Sequence, residues 1–289
     1  MNLNQLLQKR LSEYTELTDL LTKFAGKPAV FSTEAPTDQM QGWQNGVQYP
    51  RVTYTADMQA NAERNSQGTL TVACYTDKTS LIILSLASAV KDAMRDTLLC
   101  PTDDTGPFAF AWARTDGFSL PDVNTMGQII TFDIVEYPDQ TTTDPDPQIA
   151  LSRFVKKKFP DYFVLGLDKP DEILETGDKP LFYVEVTRLR STTGPTMNTV
   201  QWLLADMRVH VLYPNSAVRQ KLCAASAEPI AQEEDVPLDD LSPLTIVSSE
   251  YDATADYLRT GQIAVSTSYG ILKTSPKQHK IEGVNNSYG

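Results

Sequence analysis

Apolar residues near the start of the chain recur at steps of three and four: Leu3, Leu7, Leu11, Tyr14, Leu17, Leu21 and Phe24. That spacing puts one stripe along a core-facing helix, with Gly26-Lys27-Pro28 as its stop. The period then changes. In residues 51–56 Val52 and Tyr54 alternate with Arg51, Thr53 and Thr55, residues 69–75 alternate in the same way, and residues 61–68 supply a turn. Strict alternation predicts an antiparallel hairpin with one wet face. Thr76-Asp77 offers a cap for a second helix carrying Leu81, Leu84, Ala87, Val90, Met94 and Leu98, which Cys100-Pro101 closes. Residues 107–114 and 127–137 predict two more strands, with residues 116–125 as a long polar hairpin loop.

The same order returns after residue 147. Ile149, Leu151, Phe154 and Val155 open a helix that Phe159-Pro160 stops, with Lys156, Lys157 and Lys158 at its end, where cations complement the helix dipole. Residues 181–188 and 207–213 predict strands, separated by a loop through 190–198 and a Gly194-Pro195 turn. Asn215-Ser216 caps a short helix, and residues 243–248 and 262–270 form a last hairpin. Repetition of order without obvious identity is what a duplication followed by drift leaves. The expected fold class is therefore α+β, an α/β two-layer sandwich in two tandem domains. Each is expected to hold a mostly antiparallel four-stranded sheet with helices packed on one face. The boundaries are 1–137 for the first domain and 148–272 for the second copy. Residues 138–147 form a Pro/Asp/Thr linker, an extended and solvated spacer, and 273–289 a polar C-terminal tail.

Composition narrows the function. The 289 residues carry a formal charge of −12, which divides as −6, −3 and −3 over 1–137, 138–147 and the remainder. This argues against a general nucleic-acid binder, which needs a basic stripe to release counterions from phosphate. The apolar run at 80–90 is stopped by Lys91 and Asp92, so no membrane span is expected. Cys74, Cys100 and Cys223 are an odd set without metal-ligand spacing and read as free thiols in a reducing cytoplasm. His210 lies in a strand pattern and His279 in the tail, with no second ligand at zinc spacing. No nucleophile elbow, Walker loop or dinucleotide fingerprint occurs. The carboxylate runs at 233–235 and 239–240 fall in a proline-containing loop, where solvated charge is the default. The chain is thus expected to be no enzyme and to use no cofactor or metal.

Several of these features together resemble the tail terminator (tail completion) family of long-tailed bacteriophages. They are the amphipathic first helix, the Tyr49-Pro50-Arg51-Val52-Thr53-Tyr54 lead-in to a strand, the Gln67-Gly68 start of the next, the helix through Leu98 and the closing hairpin to Tyr137. The likeness covers most of 1–137, and the second half follows more loosely, in an apparently tandem two-domain version. It implies a structural virion protein of the phage tail and neck, assembled in the host cytoplasm. Such a protein forms a homo-oligomeric ring that caps the tail tube at its head-proximal end and joins the neck or head-tail connector. DNA would pass through the lumen without specific binding. The alternatives are another phage neck or head-completion adaptor, or a non-viral protein-interaction module. Irregular polar loops on a rigid sheet are where contacts form. The candidate interface residues are therefore Asn61, Glu63, Arg64, Asn65, Asp116, Phe118 and Asp122 in the first half, with Arg190, Thr192, Thr193 and Asn198 in the second.

Overall fold

The computed structural model describes residues 1–77, 81–102, 105–120, 124–139, 143–192 and 199–273. The first half opens with α1 (Leu3–Glu13) and a single turn, α2 (Thr15–Thr18). Asn2 and Gln5 close a reciprocal capping box on α1, satisfying two otherwise orphaned amides. The small strands β1 (Lys23–Phe24) and β2 (Lys27–Pro28) form a separate ribbon, and β3 (Val30–Ser32) leads by a crossover to β4 (Arg51–Asp57) and β5 (Gly68–Asp77). Then come α3 (Ile83–Met94), β6 (Thr97–Leu99), β7 (Phe108–Leu120) and β8 (Thr125–Glu136). The second half runs α4 (Pro147–Lys158), β9 (Phe163–Val164), β10 (Ile173–Glu175), β11 (Leu181–Thr192), β12 (Val200–Leu212), α5 (Ser216–Gln232), β13 (Asp235–Pro237), β14 (Pro243–Tyr251) and β15 (Ile263–Leu272).

The α+β class holds, but the sheets are larger than four strands. One has seven strands in the order β10-β6-β7-β8-β5-β4-β3, the other six in the order β13-β14-β15-β12-β11-β9. Without β10, the two orders are the same. With β10 set aside, each sheet ends in a short strand that follows its second helix, β6 or β13, and at the other edge in a parallel pair, β3 with β4 or β9 with β11. Every other pairing is antiparallel, and β7 and β14 each carry a bulge, at 112–114 and 246–248. Three-residue edge strands were beyond a periodicity argument, because too few positions exist to show alternation.

Each half has its own core. Leu6, Leu7, Leu11 and Leu17 pack with Leu86, Val90 and Met94 over Val72, Ile130 and Phe132 in the first. Leu151, Val155 and Cys223 pack over Val184, Val209 and Val265 in the second. Several sequence expectations fail locally. The first helix stops at Glu13, and the apolar residues after it continue the core contacts through a turn, with Leu20 only partly buried. Thr76-Asp77 belongs to β5, and α3 starts at Ile83, behind Ile82. The buried face of α3 is Ile83, Leu86, Ala87, Val90 and Met94, so Leu81 and Leu84 are exposed, at 94% and 69%. Ala87, Val90 and Met94 are buried as the expected stripe has them, and only its start, Leu81 and Leu84, is misplaced, because a segment apolar all round leaves its phase undetermined there. The helix capped by Asn215 spans 17 residues and is not short. Residues 235–237 are strand β13, where a loop was expected.

Within the link between the halves Pro138, Asp139 and Asp144 are exposed, but its last residues, Pro145 to Pro147, are buried. Tyr137 is 2% exposed, and Asp146 is buried and caps α4 by accepting from the amides of Gln148 and Ile149. Thr143 shares a 2.7 Å hydrogen bond with Tyr269.

Candidate interaction surfaces

Two of the predicted contact loops, 116–125 and 190–198, begin in strand, at 116–120 and 190–192. Asp116 and Phe118 sit in β7, and Arg190 and Thr192 in β11. Asp116 pairs with Arg114 at 3.0 Å, and Phe118 stands edge-on to Tyr75 with centroids 5.4 Å apart. A Cβ on Gly127 would come within 2.3 Å of both the Phe118 ring and the Cys74 carbonyl, so this close approach requires glycine. Arg190 faces Asp206 at 3.5 Å, and the Thr192 carbonyl accepts from Gln201. Asp122, Thr193 and Asn198 lie outside the described residues, as does the tail after Lys273.

The loop at 61–65 is exposed, but part of it turns to the other half. The Asn61 side chain accepts from the amides of Glu63 and Arg64, which closes the turn. Arg64 reaches the Asp133 carboxylate at 2.9 Å, and the Asn65 amide donates to the Arg259 carbonyl at 2.8 Å.

Asp133 anchors a joint that sequence reasoning missed. It sits mid-strand in β8 with its side chain 2% exposed, and Arg259 of the second half donates to its Oδ2 at 2.7 Å. Arg259 is held in turn by Asp256 at 2.7 Å. Arg259 is raised above its ordinary value although burial pulls the other way, because Asp256 and Asp133 both bond it. The signal was an aspartate interrupting an apolar strand, since a charge there needs a partner.

Around this ion pair the halves share a third apolar cluster, in which Leu98, Ala109, Val135 and Tyr137 meet Leu181, Tyr183 and Leu212. His210 lies in the same region beside the paired rings of Tyr137 and Tyr183, at centroid distances of 5.8 and 5.7 Å. Its Nδ1 is 3.0 Å from the Tyr257 carbonyl and its Nε2 3.2 Å from Glu185, so it is a structural histidine partnered on both sides. Tyr137 donates to the Leu258 carbonyl and Tyr183 to the Pro138 carbonyl, and burial pushes both phenols up.

The other element of the joint is a strand exchange within the chain. The crossover between β9 and β11 leaves its own sheet and lays β10 on β6, in register Ile173 to Leu99 through Glu175 to Thr97. Cys100 donates to the Glu172 carbonyl and Thr176 to the Asp96 carbonyl, extending the ladder at both ends. Asp96 is left-handed, at φ 57°, just past α3, which turns its carbonyl towards Thr176. Lys9 donates to Glu172 at 2.8 Å, and Arg10 lies 2.5 Å from Glu175. The Lys9 hydrogen bond holds the Glu172 carboxyl below its usual range.

A cavity of about 370 Å³ borders the joint, with Leu98, Phe110 and Leu212 in its wall beside Asp96 and Tyr257. Burial pushes the Asp96 carboxyl up, against the opposing pull of Arg95 and Arg219. Its charged groups are matched within the chain, Arg95 with Asp96 and Asp256 with Arg259. Burial also pushes the Cys100 thiol up to about 12 and that of Cys223 to about 11, which makes them poor nucleophiles. Among the described residues no group of three or more His, Cys, Asp or Glu is placed to hold a metal, and no helix is long and apolar enough to cross a membrane.

No protein-family model matches the chain, and no curated protein matches it significantly.

Proposed function

We propose that this chain is a structural, ring-forming component of a bacteriophage tail. In this reading it stops growth of the tube at its head-proximal end and joins the neck, without catalysis and without a cofactor. The sequence resemblance of residues 1–137 motivates the assignment. The observation that carries the self-assembling part is the strand order shared by the two halves, once β10 is set aside. Two such units in tandem, one completing its sheet edge with a strand from the other, are a device for joining like to like. We take the halves to be copies of one ancestral unit, with domains at 1–137 and 148–272. The formal charge of −12 suits a lumen through which DNA slides, since phosphate is repelled rather than held.

The test is deletion of the gene in a phage that carries it. Overlong tails, or tails that fail to join heads, are expected. Tails of normal, uniform length joined to heads would overturn the role and leave the interaction-module alternative, which needs no phage partner.

A further inference from the structure

β15 ends beside a groove of about 460 Å³. Gly270 and Leu272 line it from β15, Val200 and Trp202 from the neighbouring β12, and Asp144 and Asp240 from the loops around it. Part of its depth is owed to Gly270, because a Cβ there would come within 2.8 Å of Val200 Cγ1 and 3.9 Å of the Trp202 ring. Leu272, the last residue of β15, is 83% exposed beside it. Trp202 also keeps a buried indole Nε1 without a hydrogen-bond partner, an orphan that a carbonyl brought in by an occupant resolves.

The charge of the groove has one sign. Among the described residues that line it, Asp144 and Asp240 are the only charged ones; both are exposed, and neither forms an ion pair. The hydroxyl and amide of Ser242 donate to Asp240 Oδ1 at 2.6 and 2.9 Å and hold that carboxyl below its usual range, so it is charged at neutral pH. The cations of α4 are already engaged, Arg153 with Asp239 and Lys158 with Glu233. A groove with an apolar wall and two unpaired carboxylates selects an extended segment in which cations adjoin an apolar side chain.

The chain carries such a segment just beyond the groove. In a protein of formal charge −12, residues 274–289 hold Lys277 and Lys280 against the single Glu282, and Ile281 directly follows the second lysine. Ser275-Pro276 is a pair that favours a turn, which a chain leaving β15 needs if it is to lie back along the last residues of that strand. Five residues at about 3.3 Å each let Lys277 reach about 17 Å from Leu272, enough to return across a groove of this volume. We propose that Lys277 to Ile281 of the same chain dock in this groove, the lysines at Asp144 and Asp240 and Ile281 against Val200 and Trp202. Tethering favours the chain's own tail over a second molecule, since a short linker gives an effective concentration on the order of millimolar. The contact straps the open end of the second sheet and is independent of any role in a phage particle.

Trypsin cleavage of the purified full-length chain after Lys277, followed by mass spectrometry, reads the docked fraction, because proteolysis tracks the population of the open form. The wild type is compared with Asp144→Asn/Asp240→Asn and with Ile281→Asp, which alters no residue of the described fold. Both variants are expected to be cut about tenfold faster than the wild type, the ratio that two exposed ion pairs and one apolar contact sustain. The wild-type rate is expected to be independent of protein concentration. Equal rates in the three proteins overturn the proposal. So does protection that grows with concentration, which makes the occupant another copy's tail. Faster cleavage in Ile281→Asp alone, with the carboxylate variant folded by circular dichroism, places the tail elsewhere and overturns it too. Should the carboxylate variant misfold, Lys280→Gln takes its place: faster cleavage after Lys277 is expected, and an unchanged rate overturns the proposal.

Discussion

Replacing Arg259 by methionine tests whether the buried ion pair couples the two halves. The substitution keeps most of the side-chain volume and strips the charge from Asp133, whose side chain is 2% exposed. Breaking a buried pair by removing one partner typically costs about 3 to 5 kcal/mol, because the remaining charge stays buried without compensation. Here Arg64 still reaches the same oxygen at 2.9 Å, but it is 48% exposed and its attraction is screened by water. The cost should therefore lie near the lower end, about 3 kcal/mol. Asp133 Oδ1 and Arg259 Nε have no hydrogen-bond partner even in the intact pair, so the pair itself adds little over an apolar contact. The double variant Asp133→Leu/Arg259→Met should accordingly recover most of the loss. The assay is urea unfolding followed by tryptophan fluorescence and circular dichroism. Arg259→Met is expected to separate the two probes into successive transitions as the halves uncouple, and a single transition in the wild type is the reference. An Arg259→Met midpoint equal to wild type would show that water reaches Asp133 and that the joint is held by the apolar cluster and β10 alone.

Two further outcomes follow from burial and from charge. Leu86→Ala and Leu17→Ala, both at fully buried positions, should each cost about 2 to 5 kcal/mol, whereas Leu84→Ala, 69% exposed, should leave a thermal melt nearly unchanged. Equal effects at 84 and 86 would mean that the helix faces are reversed. Glu172 has a folded-state pKa below its ordinary 4.5, so its bond to Lys9 stabilises the joint above that value and is lost as pH falls through the folded one. Melts from pH 7 to 3 should show the wild type converging on Glu172→Gln at the acid end, and a difference that persists at pH 3 would remove the carboxylate from the account.

How much was legible depended on the length of each signal. The long strands β5 and β8 and the helix α4 were readable because alternation or a helical stripe ran over enough positions to fix a period. The stop of α4 at Phe159-Pro160 and the cap of α5 at Asn215 are local chemistry and were found. The hairpins of β7 with β8 and β11 with β12 were cut short because their polar ends look like loops. Those residues are nonetheless strand, since each is held by a ladder partner across the hairpin, as Asp116 is by Ile129. The phase at the start of α3 was lost because Leu81, Ile82, Ile83 and Leu84 offer no polar residue to mark the outside, while Ala87, Val90 and Met94 further on are buried as expected.

The candidate surfaces show the same division. Asn61 and its turn were visible because asparagine bonds its own backbone two and three residues on. The partners of Asp133, Lys9 and Arg10 were not, since they lie 126, 163 and 165 residues away for Arg259, Glu172 and Glu175. By itself, then, the chain's pattern determined the class of fold, the repeated order of helices and hairpins and the acidic balance, which depend on residue type and local spacing. Tertiary structure alone decided which face of α3 is buried, that β10 leaves its own half to complete the other sheet, and which charges meet across the joint. Those outcomes depend on distances between segments far apart in sequence, and no local periodicity encodes them.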